Sequence, residues 1–332
     1  MIKKISYMIR FVVIAAMMIS IKYIYNGYLI NKNKEVLWYY DSNSNYHLSL
    51  DEKDSINSSK SVIIAVIDSG VDIYNESISG YVWSNKREVE DGKDDDNNGY
   101  PDDINGWNFI DNNSEVFDKN NPHGTSIASI ICSNSERYCK GNKANIQIMS
   151  LRVLDEDGEC KNVDAIINAI KYAEQNGASV CNMSFDTSYY SKELEKTIND
   201  SKMLFVVSAG NKATIGSNID NCKNYPACFN CDNIITVGSA TRTEKTEIKS
   251  NFGSKNVDIL APGKNIYCLS YNGKYEKKTG TSFATPFVSS VAAIKFSFHK
   301  NISANKVKSL ILDEAIKKKE LEEFVNKGAL LK

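Results

Sequence analysis

Histidine is scarce in this chain of 332 residues, which carries only His47, His123 and His299. Any imidazole base is therefore confined to three positions. The scarcity also leaves the neighbouring cysteines Cys222, Cys228 and Cys231 without a nearby histidine to complete a tetrahedral zinc set, although zinc is the rival to a local disulfide there. An excess of charge of one sign is lacking too: the formal net charge is -1, with both signs dispersed, so nothing points to nucleic acid or another polyanion. No internal repeat and no low-complexity linker divides the sequence; its length could hold one large or two small domains, and the interleaving of its motifs from Ser61 to Thr285 decides for one.

What is present is a set of buried-strand patterns that end on chemistry. Ser61 to Asp68 is continuous in apolar and β-branched residues and closes on Asp68-Ser69-Gly70. Met203 to Ser208 runs into Ala209-Gly210-Asn211, bringing an amide to the same edge of a sheet. Similar strands are expected at Ile146 to Leu154, Ala178 to Phe185, Ile234 to Ser239 and Val257 to Ala261. Between them lie helical patterns, among them Val163 to Gln175, with Ile166, Ile167, Ile170 and Ala173 on one face. Alternation of this kind implies an α/β fold of three layers, a mostly parallel central sheet with helices on both faces. In such sheets functional residues gather at the carboxyl ends of the strands.

Two further motifs complete a catalytic inventory. His123 lies in Asn121-Pro122-His123-Gly124-Thr125, heading a helical pattern from Ser126 to Cys132. Ser282 follows a Gly-Thr turn in Gly280-Thr281-Ser282-Phe283-Ala284-Thr285-Pro286, directly ahead of an apolar, Ala-rich helical pattern. A serine hydroxyl is a poor nucleophile until a base removes its proton, so the pattern has meaning only with His123, Asp68 and an oxyanion donor, for which Asn211 is the natural candidate. Taken singly, each residue is as readily a helix cap or turn former. No cysteine occupies the motif that holds Ser282.

In chain order these residues read Asp68, His123, Asn211, Ser282, and with Ala261-Pro262-Gly263 they make the chain resemble the subtilisin-like serine proteases. The resemblance implies an Asp68-His123-Ser282 triad, Asn211 at the oxyanion, a protein or peptide substrate, a bacterial source, a monomer, and chemistry that needs no cofactor. It covers residues from Glu35 to the end, where Lys327-Gly328-Ala329-Leu330-Leu331 resembles the family's closing segment. Two positions depart from the family pattern: Pro122 stands where a glycine is usual, and Ser126 where a second histidine is usual. Ser184-Phe185-Asp186 resembles the end of the strand that lines the substrate, with Asp186 in place of a glycine; a carboxylate there either narrows the cleft or favours a basic substrate residue. Gly158, after Asp155-Glu156-Asp157, resembles the opposite edge of that cleft, and the acidic loop is either a specificity element or a solvated turn. Three functions compete: a serine endopeptidase, degradative or dedicated to processing a leader or propeptide; a catalytically silent peptide-binding relative; and an esterase using the same triad.

Asp91 to Asp103 packs carboxylates and amides around a glycine, as hard-cation loops do, with Asp94, Asp96, Asn98, Asp102 and the Tyr100 carbonyl as candidate Ca2+ ligands. The pattern is only partly that of an EF-hand, since Asn105 holds the twelfth position, and a solvated acidic turn is the alternative. The eight cysteines allow 105 pairings; Cys132 with Cys139, and one pair within Cys222, Cys228 and Cys231, are the local options, whereas Cys181 reads as a packing residue. Residues 1–34 read as a signal peptide or an N-terminal membrane anchor, with a basic start and an apolar stretch, the membrane option resting on residues 5–30. Residues 35–332 form the expected catalytic domain, placed outside the cytoplasm on either reading, and little space separates the two for a folded propeptide.

Overall fold

The computed structural model describes residues 38–40, 61–138, 146–299 and 301–331. It divides into two units, residues 1–47 and 48–332. Of the first, only the short turn Trp38–Tyr40 is described, with the Tyr39 and Tyr40 rings edge to face at 4.6 Å. The expected signal or anchor, residues 5–30, lies outside the described residues.

The second unit is built on a nine-stranded sheet. Its strands are β1 (Val62–Asp68), β2 (Gly106–Asn108), β3 (Ile146–Arg152), β4 (Val180–Met183), β5 (Leu204–Ser208), β6 (Ile234–Ala240), β7 (Ile259–Pro262), β10 (Ile316–Lys317) and β11 (Ala329–Leu330). The spatial order is β10-β11-β7-β6-β5-β4-β1-β3-β2, parallel throughout except for the edge pair β10–β11. A separate antiparallel hairpin joins β8 (Ile266–Leu269) to β9 (Tyr275–Lys278). Central strands bury both faces, which is why β1 reads Val-Ile-Ile-Ala-Val-Ile-Asp without polar alternation. Each fully buried Val or Ile there contributes about 1.5–3 kcal/mol.

The helices are α1 (His123–Tyr138), α2 (Val163–Gln175), α3 (Lys192–Asp200), α4 (Thr281–Phe298) and α5 (Ala304–Glu314). Helix α1, which follows β2 and leads into β3, packs with α4, whereas α2, between β3 and β4, packs with α3. The two pairs cover opposite faces of the sheet. The expected three layers are thus formed. Asn162 caps α2 by accepting the Asp164 N–H at 2.9 Å, and its apolar side buries Ile166, Ile167, Ile170 and Tyr172. Helix α4 packs against α1 and the sheet and is buried along most of its length, which accounts for its apolar, Ala-rich composition.

Strand and helix boundaries shift in instructive places. The pattern ending at Phe185 leaves the ladder after Met183, so Ser184, Phe185 and Asp186 are free to bond outside the sheet. Strand β3 stops at Arg152 because the N–H groups of Val153 and Leu154 turn to the Asp68 carbonyl, at 2.8 and 3.2 Å. Helix α1 begins at His123 itself, earlier than the apolar pattern indicated, and extends to Tyr138.

Candidate active site

Strand β1 lies between β3 and β4, where successive connections leave in opposite directions, so Asp68 sits at the switch point at the carboxyl edge. Its side chain is fully buried. Oδ1 receives the Ser69 N–H at 2.8 Å and lies 2.7 Å from His123 Nδ1, while Oδ2 has no hydrogen-bond partner among the described residues. The close approach of β1 to α1 depends on two glycines. A Cβ on Gly124 would stand 2.3 Å from the Gly70 carbonyl oxygen, and one on Gly70, whose φ is +98°, would stand 2.6 Å from the Val116 oxygen.

Asn121, which the sequence did not single out, holds His123 in place. Its Oδ1 accepts the His123 N–H at 3.1 Å, its Nδ2 donates to the Asp155 carbonyl at 2.9 Å, and its own carbonyl accepts the Ser69 hydroxyl, also at 2.9 Å. Ser69 Oγ in turn accepts the Gly124 N–H at 3.0 Å. The segment before His123 is further pinned by Arg152, which pairs with Asp118 at 2.8 Å. Ser126, at the position of the usual second histidine, is buried and donates to the Leu269 carbonyl of β8. Pro122 keeps its carbonyl engaged with the Ser126 N–H at 2.9 Å.

Opposing influences act on the His123 imidazole. Burial of the ring acts to lower its pKa, but the charge of Asp68 and the hydrogen bond to it act upward; with Lys278 adding a smaller downward push, the net shift is above the ordinary 6.5. The imidazole keeps 27% exposure, so desolvation is partial and the carboxylate prevails.

Ser282 is set in the first turn of α4. Pro286, four residues on, has no N–H to return to the Ser282 carbonyl. That carbonyl instead accepts the Ser184 hydroxyl at 2.9 Å, tying the serine to the segment after β4. Ser184 is held by Asn182 Nδ2 at 3.0 Å. The neighbouring Phe283 ring lies 5.6 Å from the His123 ring, which brings the histidine and serine elements to one place.

Asn211 meets the same turn from β5. Its Oδ1 accepts the Thr281 N–H at 3.0 Å and its Nδ2 donates to Thr281 Oγ1, also at 3.0 Å. This clasp orients the amide and engages one of the two Nδ2 hydrogens; the second remains for a ligand. Gly280, with φ of +152°, shapes the turn; a Cβ there would stand 3.4 Å from Asn211 Nδ2 and Oδ1.

The segments expected to line the substrate take the following positions. Phe185 is half-buried, and its carbonyl accepts the Ser208 hydroxyl at 3.3 Å. Asp186 receives a hydrogen bond from Asn224 Nδ2, which also donates to the Ala209 carbonyl at 3.0 Å. Gly158, at φ of +80°, closes a turn whose N–H reaches the Asp155 carbonyl at 3.0 Å, and the Asn121 bond to that same carbonyl joins the acidic loop to the His123 segment. Asp155 itself is occupied by Lys161 at 2.5 Å.

The acidic segment groups differently from its sequence pattern. Oxygens of Glu88, Asp94 and Asp96 lie within 4.8 Å of one another, and Glu88 is buried. Asp102 instead accepts the N–H groups of Asp91 and Gly92 at 2.9 and 3.0 Å, and Asn98 spans the Tyr100 N–H and Asp103. An all-oxygen set of three carboxylates suits a hard cation such as Ca2+. Among the described residues, Cys132, Cys160, Cys181, Cys222, Cys228, Cys231 and Cys268 are free thiols. Cys228 and Cys231 point to separate carbonyls, those of Ile219 and Glu195, and Cys139 lies outside the described residues. Burial pushes the Cys231 and Cys268 thiols up to about 11, so neither is a ready thiolate nucleophile.

Fold and site together define a doubly covered parallel α/β protein in which a buried aspartate holds a partly exposed histidine, whose ring lies 5.6 Å from that of Phe283, the residue after Ser282. Residues 59–328 match the Subtilase family, and the chain belongs to it. The chain is similar to Thermophilic serine proteinase of Bacillus sp. (strain AK1), 32% identical over 242 residues that cover 72% of this chain and 53% of that protein. It is also similar to Thermitase of Thermoactinomyces vulgaris, 29% identical over 76% of this chain and 81% of that protein. It spans 40% of the length of Subtilisin-like protease 1 of Plasmodium falciparum, at 29% identity. Among solved structures, a cold adapted subtilisin-like serine proteinase superposes with a TM-score of 0.65 at 27% identity, covering 89% of this chain and 97% of that one.

Proposed function

We propose that this chain is a serine endopeptidase that acts outside the cytoplasm. The observation that carries the reading is the 2.7 Å Asp68–His123 contact at the sheet's switch point, set against the Ser282 turn that Asn211 clasps. Ser282 Oγ attacks the substrate carbonyl carbon as His123 Nε2 takes its proton. The same proton then passes to the leaving amine as the C–N bond breaks, and water repeats the sequence to release the acid. Asp68 stays ionised, holding the imidazole tautomer and stabilising the imidazolium. The negative oxygen of each tetrahedral intermediate is met by the Ser282 N–H and the second Nδ2 hydrogen of Asn211, at the N-terminus of α4 where the helix dipole favours negative charge.

Ser184, Phe185, Asp186 and Gly158 line the substrate, and Ca2+, bound by Glu88, Asp94 and Asp96, supports the fold without entering the chemistry. The extracytoplasmic placement is supported by the basic and apolar N-terminal segment and by similarity to the Cell wall-associated protease of Bacillus subtilis, 30% identical over 75% of this chain. The test is cleavage of a diverse peptide library by the wild type and Ser282→Ala. Wild type cleaves and the variant falls to background; a wild type that cleaves no peptide overturns the reading.

A further inference from the structure

The acyl half of a bound substrate lies away from His123, because His123 must reach the leaving amine. It therefore falls beside the Ser184–Asp186 segment, which is bonded to Ser282, and beside the Gly210-Asn211 turn. Asp186 stands where these two walls meet. A Cβ on Gly210 would be 2.1 Å from Asp186 Oδ2 and 2.4 Å from Asn224 Nδ2, so the carboxylate rests directly over the glycine that precedes the oxyanion residue. Asn224 fixes Oδ2, while Oδ1 takes no hydrogen bond and Asp186 makes no salt bridge among the described residues. The side chain is exposed. An oriented, unpaired carboxylate on the acyl side of the scissile bond lacks only a cation, and a guanidinium or ammonium supplies one.

We infer that Asp186 selects a basic residue, Arg or Lys, immediately before the cut bond. The inference rests on the endopeptidase reading and gives its substrate class: peptides carrying a basic residue at the cleavage point. In the acidic loop, Asp155 is taken by Lys161.

The experiment uses quenched fluorescent peptides identical except for Arg, Lys, Leu or Glu before the cut, with wild type, Asp186→Asn and Asp186→Gly, each first titrated by fluorophosphonate labelling. Wild type is expected to show kcat/KM for Arg at least about tenfold above Leu, equivalent to about 1.4 kcal/mol. Asp186→Asn keeps the side chain's shape and should bring the Arg-to-Leu ratio toward one. A wild type that prefers Leu, or a ratio unchanged in a variant that still labels, overturns the inference while leaving the endopeptidase reading intact. A wild type that neither labels nor cleaves overturns the reading beneath it. Should neither variant fold, the wild-type ratio decides alone.

Discussion

Replacing Asp68 by Asn separates the carboxylate's charge from its geometry. The amide has two orientations. With Oδ1 in its present place, it still accepts the Ser69 and His123 N–H groups, now found at 2.8 and 2.7 Å, and the new NH2 falls where Oδ2 has no partner. A buried, unsatisfied amide costs about 1–3 kcal/mol. The flipped orientation loses the Ser69 bond but donates its NH2 to Nδ1 of the other imidazole tautomer, which leaves Nε2 protonated and unable to act as base; the first orientation keeps the working tautomer. What disappears is charge. A charge-assisted hydrogen bond contributes about 1 kcal/mol more than a neutral one, and the attraction of opposite charges about 4 Å apart amounts to about 4 kcal/mol at an effective dielectric near 20. Discounted for the partial exposure of His123, roughly 3–5 kcal/mol of imidazolium stabilisation is lost, or about 10²–10⁴ in kcat/KM.

The pH profile carries the sign. His123 must be neutral to accept the serine proton, so the acid limb of kcat/KM reports its pKa and lies above 6.5 in the wild type. In Asp68→Asn the upward influence of the charge vanishes and the hydrogen bond weakens to a neutral one, whereas burial, the largest influence, and Lys278 still act downward, so the limb moves below 6.5. A stopped assay on one peptide from acid to alkaline pH measures both quantities. A loss under tenfold, an acid limb that stays above 6.5, or a loss as complete as that of Ser282→Ala would refute the reasoning.

Gly210→Ala should damage the site without touching a catalytic group: φ is +86°, and the new Cβ meets Asp186 Oδ2 at 2.1 Å and Asn224 Nδ2 at 2.4 Å. Thermal denaturation and single-peptide kinetics should show a destabilisation of about 1–3 kcal/mol with a raised KM, and an unchanged Tm and KM would contradict the packing described. Calcium binding at Glu88, Asp94 and Asp96 predicts that a chelator lowers Tm and that Glu88→Gln abolishes the difference. A melting curve indifferent to chelator removes the ion from the account.

Much of this architecture was legible because its strands are buried on both faces. Strand β1 and the start of β5 announce themselves as apolar runs, and the residue that ends each run, Asp68 or the turn to Asn211, falls at the functional edge by topology. The β8–β9 hairpin left no such trace, since Tyr275-Glu276-Lys277-Lys278 is largely exposed and has no apolar face to alternate. Asn121 and Glu88 were illegible for another reason. Their partners, Asp155 and Asp94 with Asp96, are chosen by loop geometry, and an asparagine or glutamate in a polar stretch carries no signal of its own. The pattern around Asp94 included Asp102, yet the backbone turns Asp102 onto two N–H groups and groups Glu88 with Asp94 and Asp96 instead. At Ser282 the local sequence held more than its motif: Pro286 frees the carbonyl that Ser184 then takes, and that bond ties the start of α4 to the segment after β4.

The account stands on Ser282 being activated by His123, and covalent labelling measures that without any choice of substrate. Incubation with a fluorophosphonate followed by peptide mapping should place one phosphonyl group on Ser282 of the wild type. His123→Ala should label far more slowly and Ser282→Ala not at all. Labelling at another residue, or at an equal rate in His123→Ala, would contradict it.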